Sequence, residues 1–275
     1  DGVYSITAAA DATDANVIKL ALGRDAIPGI YTLYVGTPTS PIVYLSDSII
    51  VAGARAAEPD VDILIADDNS PDGTGEVAES LRINDSGMFV LHRAAKAGLG
   101  AAYLDAFGWA KSKGYEVVVE MDADGSHRVA DLIAMLDILQ KLKSKRVMIM
   151  GTRWMLGGCV VNWPKYRQLL SKFGTKYAKL GLGIDLDDLT GGFRIYSSEL
   201  LNALNLSDMK TTGYCFQIEM ACAAYKSGAE VIQVPITFVE RHHGRSKMTS
   251  GIALEAFGYV TMAGIERIWR GFIRR

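Results

Sequence analysis

From residue 61 the chain repeats one unit: a short apolar run, a polar turn, then an amphipathic stretch long enough for a helix. Residues 61–66 (VDILIA) read as a buried-type strand, 74–81 as a helix and 88–92 as a strand. Residues 98–113 read as a helix, 117–121 (VVVEM) as a strand, 130–143 as a helix and 147–151 as a strand. Strands separated by helices are not joined as hairpins, so the pattern predicts a Rossmann-like, mostly parallel α/β sheet with helices on both faces. Two of these strands run straight into carboxylates. Asp67-Asp68 closes the first, and Asp122-Ala123-Asp124 closes the strand at 117–121. Open sheets of this kind collect ligands in the crevice beyond the carboxyl ends of their strands.

Composition narrows the function. With 275 residues and 49% apolar content, the chain is long enough for one large α/β domain with a sizeable core. Lys+Arg 29 against Asp+Glu 31 gives a net charge of −2, which speaks against a nucleic-acid binder dominated by phosphate contacts. Cys159, Cys215 and Cys222 form no CxxC pair, so neither a disulfide scaffold nor a structural zinc site is expected, and a reducing cytosol is the simpler compartment. No apolar run reaches the roughly 18 residues of a bilayer span, and no signal peptide opens the chain. Because it begins with Asp1, the sequence is expected to be part of something longer.

Residues 1–60 differ from the rest. Stretches 2–10, 16–23 and 29–36 are β-prone and separated by Asp, Gly and Pro, which allows three strands of a small β unit. The alternative, favoured here for residues 30–60, makes 30–35 the first strand of the main sheet, 37–41 a turn and 42–58 a helix. Residues 1–28 are left unplaced, 29–250 are taken as the main domain, and 251–275 as a C-terminal helix. From Arg241 onward there are seven Lys/Arg and two Asp/Glu. A basic amphipathic helix suits a membrane interface, although an apolar stripe also suits docking on the chain's own core.

Two carboxylates at i and i+2 on a loop can hold a divalent cation against a diphosphate, yet strand-end aspartates often just cap turns. The order of motifs adds weight: ILIADDNSPDGTG from Ile63, HRAAKAGLGAAY from His92, VVVEMDADGSH from Val117 and GTRW from Gly151. NWPKYRQLLS from Asn162, DLTGGFR from Asp188, GYCFQIEM from Gly213 and VPITFVERHHGRSKM from Val234 complete the series. In that order and spacing, residues 61–250 resemble the polyprenol-phosphate mannosyltransferases, or dolichol-phosphate mannose synthases, inverting family 2 glycosyltransferases of the GT-A fold. The EMDADGSH form and the RxxGxSK ending look more like the mannosyl branch than the glucosyl or aminosugar branches.

That resemblance implies a GDP-mannose donor, a polyprenyl (dolichyl-type) phosphate acceptor and peripheral placement at the cytoplasmic face of a membrane, with an anchoring partner protein or domain. It implies that Asp122 and Asp124 hold Mg²⁺ or Mn²⁺ and that Asp68, with Asp67 beside it, contacts the nucleoside. It further implies that Arg241 and Lys247 fold over the diphosphate, and that Arg153, Arg167 and Ser171 form the pocket for the lipid phosphate. On sequence alone Arg153 and Arg167 would be ordinary surface residues. Asp188 either orients the acceptor or caps a turn. Trp163 and Pro164 read as packing and turn residues, His127, His242 and His243 as polar loop residues, and Cys215 and Cys222 as buried small apolar groups. A phosphate monoester is mostly ionised at neutral pH, so such a nucleophile needs aiming rather than a general base.

One stretch departs from the pattern. The family's first strand normally ends in a Pro-Thr-Tyr-Asn-Glu-type signature, and the corresponding residues 36–41 read GTPTSP, matching only at Pro38 and Thr39. Two alternatives therefore stand beside the mannosyl reading: a UDP-sugar-dependent polyprenyl-phosphate transferase, and a non-catalytic member that binds lipid phosphate.

Overall fold

A computed structural model describes residues 7–11, 14–21, 31–33, 42–46, 61–71, 73–83, 85–122, 125–209, 215–240 and 250–273. Three strands come first: β1 (Thr7–Asp11), β2 (Asp14–Ala21) and β3 (Tyr31–Leu33). The repeating part follows as β4 (Ile42–Ser46), β5 (Asp62–Asp67), α1 (Thr74–Arg82), β6 (Met88–His92), α2 (Leu99–Lys113), β7 (Val117–Asp122), α3 (Val129–Lys141) and β8 (Val147–Thr152). Then come β9 (Cys159–Val161), α4 (Lys165–Leu182), β10 (Arg194–Ser197), α5 (Ser198–Ala203) and α6 (Cys215–Lys226). The chain continues through β11 (Glu230–Pro235), β12 (Thr237–Val239) and α7 (Ser250–Ile273).

The main sheet has the order β11-β8-β10-β7-β4-β5-β6. Its strands are parallel except β10, which runs antiparallel between β7 and β8. Side chains alternate between two cores, as a sheet covered on both faces requires. Ile63, Ile65, Val119, Met121, Val147 and Ile149 enter one cluster. Leu64, Ala66, Val118, Met148 and Met150 enter the other, which also receives α2, α6 and Val260 of α7.

The elements from residue 61 to 152 fall where the periodicity puts them, within two residues at each end. Residues 30–60 do not. Tyr31–Leu33 pairs with β2 in a three-stranded antiparallel sheet, so the small β unit is what forms, and it takes in a segment beyond residue 28. The first strand of the main sheet is Ile42–Ser46, which the favoured reading gave to a helix. A five-residue apolar run satisfies the helical and the strand period equally, and only partners on both sides decide between them. Residues 47–60 lie outside the described residues.

This strand sets the location of the crevice. β4 pairs with β5 on one side and β7 on the other, so the chain order reverses between β4 and β7. In a doubly wound sheet that reversal is where ligands bind. Ser46 stands opposite Asp122 there. The sequence in which the nucleotide signature is due is therefore the one that follows Ser46, not residues 36–41, and it reads DSIIVAG without a Tyr-Asn-Glu run.

Candidate active site

The two acidic strand ends have different duties. The Asp67 carboxylate is buried and accepts the Ser70 N–H at 3.2 Å, closing the turn after β5. It lies so close to the first turn of α1 that a Cβ on Gly75 would stand 2.7 Å from Oδ2. Asn69, at φ 57°, supplies the left-handed residue this turn needs. Asp68 is half-buried and forms an ion pair with Arg93, whose Nε also meets Asp105 at 2.6 Å. The HRAAKAGLG motif thus contributes the clamp on Asp68.

Asp122 closes β7 at the switch point. Its N–H donates to Nδ1 of His127 at 3.2 Å. That ring is buried, stacked on Phe193 at 4.7 Å and edge-on to Phe238 at 5.5 Å. His127 is thus a loop residue, as read from the sequence, but a buried one whose ring packs on Phe193 and Phe238 and pins the end of β7. Asp124, Arg241, His242, His243 and Lys247 lie outside the described residues.

On the other side sits a buried cation. Arg153 donates from its backbone N–H to Asp188 Oδ2 at 3.1 Å, from Nε to Oδ2 at 2.6 Å and from Nη2 to Oδ1 at 2.7 Å. Nη2 also reaches Thr190 Oγ1 at 3.2 Å. The guanidinium carbon lies 5.2–5.5 Å from the ring centroids of Phe238, Trp163 and Trp154. Side-chain exposure is 8% for Arg153 and 0% for Asp188. Neither the surface default for Arg153 nor the turn-cap reading of Asp188 describes this pair: Asp188 is the sealed counterion of Arg153.

Arg167 joins the same aromatic patch, 4.9 Å from the Trp163 centroid, with Nη1 at 2.8 and 2.9 Å from the two Glu240 oxygens. Ser171, one turn further along α4, accepts from Trp154 Nε1 at 3.2 Å. The chain links are β9 and β12, which pair in parallel and carry the Asn162 and Val234 motifs side by side. Val239 N–H also donates to the Ser126 carbonyl at 3.0 Å, tying β12 to the loop after β7.

The two halves meet at the DLTGG loop. A Cβ on Gly191 would lie 3.5–3.6 Å from the Asp188 carboxyl atoms, and one on Gly192 3.6 Å from Asp122 Oδ1. Consecutive glycines thus stand between the carboxylate end of β7 and the Arg153–Asp188 pair. Beneath them lies a polar cluster that the sequence reading did not single out. Glu120 accepts from Tyr196 Oη at 3.0 Å and from Gln217 Nε2, while Arg194 donates to the Gln217 and Leu189 carbonyls at 2.7 and 3.0 Å. Burial raises the Glu120 pKa against the opposing pull of Arg194, Gln217, Tyr196 and Tyr103. Glu240 is not singled out by the sequence, and Trp163, read there as a packing residue rather than a platform, carries both Arg153 and Arg167 over its ring. The one available signal was the presence of each inside a quoted motif.

Cys215 and Cys222 are buried, as expected, and Cys159 is exposed. Among the described residues no group of three or more His, Cys, Asp or Glu forms a metal cage.

Comparison with known proteins places the chain in a family and a fold. The undecaprenyl-phosphate mannosyltransferase of Micrococcus luteus is 42% identical over 221 residues, 80% of this chain and 89% of that protein. The polyprenol monophosphomannose synthase of Mycolicibacterium smegmatis is 44% identical over 218 residues, 79% of this chain and 81% of that one. Among solved structures, mannosyl-3-phosphoglycerate synthase from Rubrobacter xylanophilus superimposes with a TM-score of 0.55 at 18% identity, covering 88% of this chain and 76% of that one. Glucosyl-3-phosphoglycerate synthase from Mycobacterium tuberculosis, in complex with Mn²⁺, UDP and glucosyl-3-phosphoglycerate, gives 0.51 at 17%, covering 82% and 76%. At such identities the solved structures establish the fold, which is the GT-A arrangement expected from the sequence. Residues 47–204 match the family described as glycosyl transferase family 2. With a buried arginine box set beside a carboxylate strand end, and with these relatives along four-fifths of its length, the chain belongs to glycosyl transferase family 2.

Proposed function

We propose that this glycosyltransferase moves mannose from GDP-mannose to the phosphate of a polyprenyl (dolichyl-type) phosphate, inverting the anomeric carbon. The observation that carries this reading is the opposition across Gly191-Gly192 of the Asp122 strand end and the Arg153–Trp163–Arg167 patch. A carboxylate loop suits a metal-bound nucleotide diphosphate, and paired guanidinium groups suit a phosphate acceptor. Both curated relatives carry names for mannosyl transfer to, or synthesis on, a polyprenol phosphate.

The residues fit a divalent cation. Asp122 and Asp124 are hard oxygen donors, Asp122 is half-exposed, and its backbone is pinned by His127. A two-carboxylate site of this kind leaves coordination positions for diphosphate oxygens. Bound there, Mg²⁺ or Mn²⁺ would stabilise the charge that develops on the leaving nucleoside diphosphate. The chain's own residues do the rest. Arg153, locked by Asp188, presents a fixed positive field, Arg167 and Ser171 on α4 hold the acceptor phosphate, and Arg241 and Lys247 steady the diphosphate. Asp68, steadied by Arg93, faces the nucleoside.

The missing Tyr-Asn-Glu run after Ser46 favours keeping a UDP-sugar donor as a second reading. Incubating the protein and Mn²⁺ with a short polyprenyl phosphate and either GDP-mannose or UDP-glucose separates them. Mannolipid formed from GDP-mannose is the expected product. Glucolipid formed instead would select the second reading, and GDP binding without transfer would mark a non-catalytic member.

Peripheral membrane contact follows from the same helices. No helix among the described residues is long and apolar enough to cross a membrane. Leu169, Leu170 and Phe173 on α4, and Ile265, Ile268 and Trp269 on α7, are nevertheless exposed. The two helices pack together through Tyr177 stacked on Phe257 at 4.7 Å and Gly181 against Val260. α7 thus both docks on the core and presents an apolar face, and the helix bearing Arg167 and Ser171 presents another. Removing the tail would also remove the packing of Gly264 on Gly181 and the Arg267 Nη2 bond to the Leu180 carbonyl at 3.0 Å. Point changes discriminate better. Ile268→Glu combined with Trp269→Glu should reduce co-sedimentation with anionic vesicles several-fold and leave thermal unfolding unchanged, because both residues are exposed. High salt should weaken the remaining attachment by screening the basic end of the helix. Undiminished sedimentation would move the membrane contact elsewhere.

A further inference from the structure

The two arginines of the acceptor patch are paired in unlike ways. The Arg153–Asp188 pair is sealed, at 8% and 0% side-chain exposure, with three nitrogen contacts. In the Arg167–Glu240 pair each side chain is 22% exposed, and a single nitrogen, Nη1, meets both carboxylate oxygens. A sealed pair cannot be opened without stranding a charge, whereas a partly solvated one is worth little and opens readily.

We infer that Glu240 is a built-in competitor for the acceptor phosphate, occupying Arg167 until a phosphate monoester displaces it; this rests on the acceptor reading above. The Glu240 backbone is fixed, with its N–H donating to the Val161 carbonyl at 3.0 Å directly after β12. Only the side chain has to swing away. Arg167 stays where it is when the carboxylate leaves, because its guanidinium lies over Trp163 at 4.9 Å. A carboxylate carries one charge, and a phosphate monoester at neutral pH carries about 1.5 to 2. The acceptor therefore outbids Glu240 for the same guanidinium fork, and a neutral alcohol does not. Glu240 offsets part of the charge of two arginines gathered around one indole ring.

The test uses Glu240→Gln, which keeps the side chain's size and removes its charge. A ten-carbon prenyl phosphate serves as the probe, titrated by calorimetry and used as acceptor in the transfer assay. Both the Kd and the KM for this acceptor should fall about three- to fivefold, the worth of releasing one half-exposed ion pair. The change should appear in the acceptor terms and not in the donor KM. Repeating the substitution in an Arg167→Ala background should abolish the gain, since the competition needs Arg167. An acceptor KM that is unchanged or raised in Glu240→Gln would overturn the inference and make Glu240 a support that positions Arg167. Loss of the gain's dependence on Arg167 would also overturn it, in favour of plain repulsion between Glu240 and phosphate. If Arg167→Ala alone leaves acceptor binding intact, the acceptor pocket itself is misassigned.

Discussion

Replacing Asp188 by alanine is expected to cost about 3–5 kcal/mol of folding stability, the range found when one partner of a buried ion pair is removed. The reason is geometric. Asp188 is fully buried and accepts one hydrogen bond from the Arg153 backbone N–H and two from its guanidinium, so its loss removes the carboxylate that locks a guanidinium water barely reaches. The aromatic rings of Trp154, Trp163 and Phe238 around that guanidinium soften the loss but supply no counter-charge. Adding Arg153→Met to the Asp188→Ala variant should recover most of the stability while leaving acceptor use impaired. Urea denaturation of the two single variants and the double variant measures the coupling directly. A loss below about 1 kcal/mol for Asp188→Ala would place the pair in the ordinary surface class and refute the sealed arrangement. The same logic makes Arg153→Ala a poor probe of acceptor binding, because it leaves the buried Asp188 carboxylate with a backbone N–H but without the guanidinium that balances its charge. Arg167, partly exposed, is the cleaner position for that question.

Asp124→Ala should lower the rate of transfer by two to three orders of magnitude, about 3–4 kcal/mol of transition-state stabilisation, with the thermal unfolding transition retained. On the proposed reading Asp124 serves the cation, and the buried packing of Val118, Val119 and Met121 in β7 remains with the sheet. Chelating divalent ions should reproduce the loss in the native protein and add nothing to it in the variant. Unchanged transfer by Asp124→Ala, or a mutant loss that chelation deepens equally, would remove the metal role from this loop.

The strands at 61–66, 88–92, 117–121 and 147–151 were legible because each carries its period within a few residues and is bounded by turn chemistry. The carboxylates that close the strands at 61–66 and 117–121 followed at once, as the sheet type dictates where ligands collect. Residues 42–46 were not legible. IVYLS fits either period, and its place between β5 and β7 is decided by residues more than fifteen positions away. Once that strand is fixed, the point of comparison for the nucleotide signature moves from residues 36–41 to the segment after Ser46.

The site divides along the same line. Sequence alone determined which residue types are at hand and in what order, because a motif is a local property of the chain: Asp122 stands out as a strand end and Asp188 as a turn or acceptor residue, whereas Arg153, Arg167 and Ser171 are singled out through the family resemblance of their motifs. Only the tertiary structure decided what each is doing. The insertion of antiparallel β10 between β7 and β8 brings the DLTGG loop to the end of β7. The parallel pairing of β9 with β12 sets Arg167 against Glu240 across 73 residues, and the Arg153–Asp188 bonds span 35. Such contacts depend on loop closure and on which apolar faces find one another. No residue-by-residue pattern records those events, and so the counterion, the aromatic platform and the releasable pair emerged only when the chain was folded.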